Sequence, residues 1–135
     1  MRIENLQRVE PFTTLDGSEI RELAGLPTGN STNQSLAEAT VPAGGETEEH
    51  YHRESEEIYF FTQGRGRLRL GGEESEVAPG DTVVIPPGTR HKLWNTGDEP
   101  LRLLCCCSPA CSHEDTVLTY TSRRTRDRSR LQRRH

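Results

Sequence analysis

The sequence predicts an all-β fold, a sandwich or barrel of the jelly-roll kind. Three observations point there. Turn signals recur roughly every 8–12 residues, the stretches between them carry little 3.6-residue apolar period, and the 135 residues include 12 Gly and 8 Pro with only 30% hydrophobic side chains. Short strands joined by tight turns suit that composition better than long helices do. The length fits one core with extensions rather than two domains.

Taken in order, residues 1–34 are expected to form an N-terminal strand and loop extension packing on the barrel. Within it, Asp16–Leu23 reads as either a short capped helix or a strand, and residues 24–34 read as loop. The barrel proper is expected over residues 35–111. Ser35–Val41 alternates in part between apolar and polar and ends at Pro42-Ala43-Gly44-Gly45, a strand followed by a turn. Glu57–Gln63, Arg65–Leu70, Glu74–Ala78, Thr82–Ile85, His91–Asn95 and Leu101–Cys107 repeat the pattern, separated by Gly71-Gly72, Pro79-Gly80, Pro86-Pro87-Gly88 and Thr96–Pro100. In sequence order they read as an antiparallel meander. Residues 112–135 are a C-terminal extension ending in an Arg-rich tail.

Charge divides the chain. Residues 1–122 carry 10 basic and 20 acidic side chains, whereas residues 123–135 carry 7 Arg and one Asp. The tail has the charge of a nucleic-acid arm but no aromatic interleaving and no binding fold around it, so no nucleic-acid partner is expected. No stretch approaches the roughly 20 apolar residues of a membrane span, and the N-terminus lacks the apolar run of a secretory signal; a cytoplasmic location and no membrane contact are expected. Cys105, Cys106, Cys107 and Cys111 cluster instead of stapling distant segments, and are read as reduced thiols.

His50-Tyr51-His52 places two imidazoles at i and i+2, so in a strand both point to one side, about 7 Å apart along the backbone. A third imidazole at His91 and a carboxylate after His52 complete an N3O donor set suited to first-row divalent ions. Glu56 shares the parity of the two histidines, but the polar run Arg53-Glu54-Ser55 reads as a bend across which parity carries little weight. From the residues alone, Glu56 and Glu57 both qualify.

The chain resembles the cupin superfamily. The first cupin motif, G-x5-H-x-H-x(3,4)-E-x6-G, is filled by Gly44, His50, His52, Glu57 and Gly64, and the second, G-x5-P-x-G-x2-H-x3-N, by Gly80, Pro86, Gly88, His91 and Asn95. The spacing from the carboxylate to Gly64 selects Glu57. The resemblance implies a cupin-type jelly-roll β-barrel, a single domain with a short basic C-terminal tail, holding one divalent transition-metal ion per chain on His50, His52, Glu57 and His91. Fe, Mn, Ni, Co, Cu and Zn are not distinguished by these ligands. It also implies a homodimer, as small cupins commonly pair and an open sheet edge is otherwise exposed.

Tyr59 and Phe61 share the parity of Glu57 and are expected to line the cavity, Tyr59 as a candidate acid or hydrogen-bond donor and Phe61 as a substrate contact, unless both simply fill the barrel. Cys105 and Cys107 share parity with Leu101 and Leu103 and should face the interior, as small hydrophobes, as substrate contacts, or with one thiol close enough to the ion to act as a ligand or redox partner. Arg65, Arg67 and Arg69 read as a solvated face. The function expected first is a mononuclear metal-dependent enzyme acting on a small organic molecule by oxygenase-type chemistry. Lewis-acid isomerase or cyclase chemistry follows, and then a non-catalytic binding or sensor role.

Overall fold

The computed structural model describes residues 1–119. The Arg-rich run beyond them, and the question of a nucleic-acid arm, lie outside the described residues. Eleven strands and no helix make up the described chain: β1 (Phe12–Thr13), β2 (Glu19–Ala24), β3 (Ser35–Val41), β4 (His50–His52), β5 (Glu56–Gln63), β6 (Gly66–Leu70), β7 (Glu73–Val77), β8 (Thr82–Ile85), β9 (His91–Asn95), β10 (Leu101–Ser108) and β11 (Thr116–Leu118). Among the described residues, no helix is long and apolar enough to cross a membrane.

The strands form two antiparallel sheets, ordered β1-β2-β3-β10-β5-β8 and β11-β4-β9-β6-β7. The strand positions follow the sequence reading closely; their connection as a meander does not. Consecutive strands pair only in β1–β2, β2–β3 and β6–β7, while β5 pairs with β8 and β10, and β6 with β9. Local turn signals fix where a strand ends but not which sheet the next strand joins, and the jelly roll alternates between sheets.

The segment left open between helix and strand is a strand, β2, preceded by a turn. Asp16 Oδ1 accepts hydrogen bonds from the Ser18 backbone N–H (2.9 Å) and hydroxyl (2.6 Å), an Asx turn that delivers the chain extended into β2 instead of capping a helix. β2 then pairs along β3, so the N-terminal extension is part of the larger sheet.

The inner faces of both sheets contribute one core of Ala39, Val41, Tyr59, Phe61, Leu68, Val77, Ile85, Leu93, Leu101 and Leu103. Strict alternation in β5 turns Glu57, Tyr59 and Phe61 inward and leaves Ile58 and Phe60 exposed. A register shift between Arg102 and Leu103 in the β10–β5 ladder sets Leu103, Cys105 and Cys107 opposite Phe61, Tyr59 and Glu57. The outermost strands are short or charged: β8 has four residues and stops at Pro86-Pro87, and β7 carries Glu73, Glu74 and Glu76. The arginine run is on the surface as read, with Arg69 drawn into a 2.8 Å ion pair with Glu49.

The motif residues outside the metal set have structural work. Asn95 donates through Nδ2 to the carbonyls of Val41 (3.0 Å) and Glu99 (2.8 Å) and accepts from Gly97 N–H (2.9 Å), closing the turn after β9. Gly64 has φ +86° and a Cβ there would stand 2.8 Å from the Pro100 carbonyl oxygen, while Gly44 has φ +76° with nothing within 4 Å. Both need the left-handed region, but only Gly64 is also crowded by backbone. Gly64→Ala is therefore expected to lower unfolding stability by roughly 2–4 kcal/mol and Gly44→Ala by only about 1 kcal/mol, as read from urea denaturation midpoints at constant m.

Candidate metal centre

The two sheets meet over four buried polar side chains. β4 projects His50 and His52 inward with Tyr51 facing away between them, β9 opens with His91 in register with His50, and β5 supplies Glu57 from the opposite sheet. The imidazole centroids lie 4.2 Å apart for His50–His91, 5.3 Å for His50–His52 and 5.5 Å for His52–His91. The donor atoms of all four residues fall within 4.8 Å of one another. Glu56, the alternative carboxylate, is on the exposed face of β5.

Each imidazole is oriented from behind. His50 Nδ1–H donates to the Glu48 carbonyl and His91 Nδ1–H to the Thr89 carbonyl, both at 2.9 Å. A carbonyl can only accept, so these contacts place the proton on Nδ1 and leave Nε2 with a free lone pair in the neutral ring. His52 is oriented indirectly. The Thr116 hydroxyl proton goes to the Ser112 carbonyl (2.8 Å), so Thr116 Oγ1 accepts from His52 Nδ1–H at 3.1 Å.

Three imidazole nitrogens thus converge on Glu57. His52 Nε2 lies 3.0 Å from Glu57 Oε1, and His91 Nε2 lies 3.6 Å from the same oxygen, too far for a good hydrogen bond. His91 Nε2 is consequently buried with no hydrogen-bond partner. An orphaned nitrogen facing two other imidazoles and a carboxylate is the donor set of a divalent transition metal, which would satisfy it directly. The residues fit the ion.

The electrostatics of the metal-free cluster follow from these distances. Burial alone would raise the Glu57 pKa, but the His52 hydrogen bond and the facing His91 outweigh it and hold the carboxyl at about 2. Burial also pulls His52 down, and the hydrogen bond and charge of Glu57 reverse that, leaving its pKa raised. His50 is lowered, first by burial and then by the neighbouring His91.

A cavity of about 740 Å³ opens onto the cluster. Ile20, Ala37, Val41, Leu93 and Leu103 give it apolar walls, and Tyr59, Cys105 and Cys107 also line it. Tyr59 is buried with its ring 6.0 Å from that of His91, and burial followed by the Glu57 charge pushes its hydroxyl well up. Cys105 is pushed well up for the same two reasons. Phe61 lies elsewhere: it is fully buried in the core and stands outside the cavity wall, so it fills the barrel and is not placed to contact a substrate.

The reading of four reduced thiols is corrected for one pair. Cys107 and Cys111 are joined in a disulfide, their Cα atoms 5.4 Å apart, while Cys105 and Cys106 are free. The chain doubles back after β10, so cysteines four residues apart meet across a tight turn, a local staple that the test for distant segments misses.

Asp16 is the site residue that the sequence did not reveal. With Oδ1 held by Ser18, its Oδ2 stands 3.6 Å from His50 Nε2 on the cavity wall. Asp16-Gly17-Ser18 has the signature of a turn, but nothing in its spacing links it to residues 34 positions downstream.

These features define a small single-domain jelly roll with a buried three-histidine, one-carboxylate cluster beneath an apolar cavity. The cupin domain model matches residues 37–107, and the chain belongs to the cupin family. It is 50% identical to protein MJ1618 of Methanocaldococcus jannaschii, an uncharacterised protein, over 82% of this chain and 89% of that one. It is 30% identical to polyketide synthase CurC of Streptomyces cyaneus, over 85% of this chain and 77% of CurC. Among solved structures, the polyketide cyclase RemF of Streptomyces resistomycificus superposes with a TM-score of 0.77 at 23% identity, over 96% of this chain and 93% of RemF.

The Glu57 pKa sets a pH window for the metal-free protein. A carboxyl depressed from 4.5 to about 2 on folding contributes stability that is fully present above the unfolded value and lost as pH falls. Metal-free protein is expected to lose about 3 kcal/mol from this group between pH 4.5 and 2. Chelator-treated wild type and Glu57→Gln compared by urea denaturation across that range should show a flatter dependence in the variant.

Proposed function

We propose that the protein is a metal-dependent cupin enzyme acting on a small, largely apolar ketone by redox-neutral chemistry, an isomerisation or ring closure that passes through loss of a proton next to the carbonyl. The observation that carries this reading is the meeting of two surfaces: the cavity wall is mostly apolar, and His50, His52 and Glu57 of the four-residue cluster line it together with Asp16. Its volume of about 740 Å³ suits a ring-containing molecule. The similarity to CurC and the fold shared with RemF support the substrate class.

A divalent ion held by His50, His52, Glu57 and His91 would supply a Lewis acid for the carbonyl oxygen. The chain's own groups do the rest. Ser18 fixes Asp16 Oδ1 and leaves Oδ2 facing the cavity, where it accepts the proton from the carbon beside the carbonyl. Tyr59 provides a hydroxyl that burial keeps protonated and able to donate. Leu93, Leu103 and Val41 exclude water from the far side of the substrate.

The test uses 1-tetralone, a bicyclic aryl ketone, in deuterated buffer, with protein loaded in turn with Fe, Mn, Ni, Co, Cu and Zn. Metal-dependent exchange at the carbon next to the carbonyl, followed by NMR, is the expected result. Asp16→Asn should slow it by about a hundred-fold or more, and His50→Ala with His52→Ala should abolish both exchange and bound metal. Oxygen consumption by the iron form without exchange would replace this reading with the oxygenase one. A tetralone complex without either reaction would make the protein a binding module.

A further inference from the structure

Glu57 has a second carboxylate oxygen, and it faces sulfur. Oε1 pairs with His52 Nε2 at 3.0 Å and faces His91 Nε2 at 3.6 Å, while Oε2 lies 3.4 Å from Cys107 Sγ. Because Cys107 Sγ is bonded to Cys111 Sγ it carries no proton, so this is a contact and not a hydrogen bond. The donor atoms of Glu57, Cys107 and Cys111 all fall within 4.8 Å of one another.

The pair is held in place independently of its bond. Cys111 N–H donates to Ser35 Oγ at 3.0 Å, and Ser55 Oγ–H donates to the carbonyl of Pro109 at 2.7 Å, pinning the turn between the cysteines from two sides. Cys107 belongs to β10 and is almost fully buried. Cys111 is half-buried on the cavity wall, where a solute entering the cavity can reach it.

We propose that reduction of Cys107–Cys111 opens a second metal site, in which the two thiolates and Glu57 Oε2 bind a soft or borderline ion such as Zn²⁺, with Glu57 bridging it to the three-histidine site. The reductant is a dithiol. It transfers two electrons and two protons to the protein disulfide, giving two thiols and leaving as its own disulfide. The incoming divalent ion then displaces both thiol protons to solvent. Two sulfurs and one oxygen leave the fourth position of a tetrahedral ion for water or substrate. The chain would hold one ion when oxidised and two when reduced. The second site shares Glu57 with the first but does not require the first to be catalytic.

The experiment titrates full-length protein with Co²⁺ under anaerobic conditions, in a Cys105→Ser, Cys106→Ser background so that only the pair supplies thiolate. Mass spectrometry verifies the disulfide before titration, and the reduced sample is prepared with a dithiol that is then removed. One equivalent is expected in the oxidised protein. In the reduced protein two are expected, the second bringing a near-ultraviolet thiolate-to-cobalt charge-transfer band. Cys111→Ser, at a half-buried position, should lose the second equivalent and keep the first. His50→Ala with His52→Ala should lose the first equivalent and keep the band, which separates failure of the histidine site from failure of this one. A reduced chain that binds a single ion, or a second ion without the band, overturns the proposal.

Discussion

Glu57 is the only carboxylate in the four-residue cluster, and the inner end of the barrel depends on its charge. Removing a carboxylate from water is unfavourable unless its lone pairs find donors, and here Oε1 finds His52 Nε2 at 3.0 Å. Glu57 in turn raises the His52 pKa against the effect of burial, favouring the charged imidazole; a divalent ion bound at the cluster would take over that role.

The positioning of the histidines rests on backbone carbonyls more than on side chains. Glu48 and Thr89 each present a carbonyl two residues from the histidine they orient, so the strand that carries the ligand also fixes its tautomer. His52 has no such neighbour and depends on Thr116 in β11, whose own hydroxyl proton is committed to Ser112. The third ligand is thus set by a strand from the far end of the described chain. Strain or loss at β11 would be felt at the metal before it was felt in the core, whose apolar cluster contains no residue of β11.

What the sequence revealed divides along physical lines. Strand positions were legible because turn residues and two-residue alternation are local, and the family spacing chose Glu57 over Glu56 where parity failed at a bend. The pairing of strands was not legible, since whether β5 lies beside β6 or β10 depends on contacts roughly forty residues away. Tyr59 and Phe61 show the limit of parity: both point inward, but the cavity extends only to Tyr59, and Phe61 lies beyond it. Asp16 and the Cys107–Cys111 bond were missed for the same reason. Each is created by a turn, and turn geometry decides proximity in a way that residue spacing does not.

The extensions outside the family match alter how the barrel should be understood. Residues 37–107 contain every metal ligand, yet Asp16 comes from before that span and Thr116 and Cys111 from after it. Asp115 adds to this by accepting the backbone N–H groups of Glu54 and Ser55 at 2.8 and 3.0 Å, fixing the bend between the His50-Tyr51-His52 strand and Glu57. That bend is where parity breaks, so the acidic side chain from β11's approach is what allows two histidines and an odd-numbered carboxylate to face one point. With a divalent ion bound, its two positive charges would be matched by the two carboxylates nearest the histidines, Glu57 from within the family match and Asp16 from before it. The barrel thus holds the candidate ligands while the flanking segments add the groups that orient and surround them, so the fold by itself does not fix the reaction.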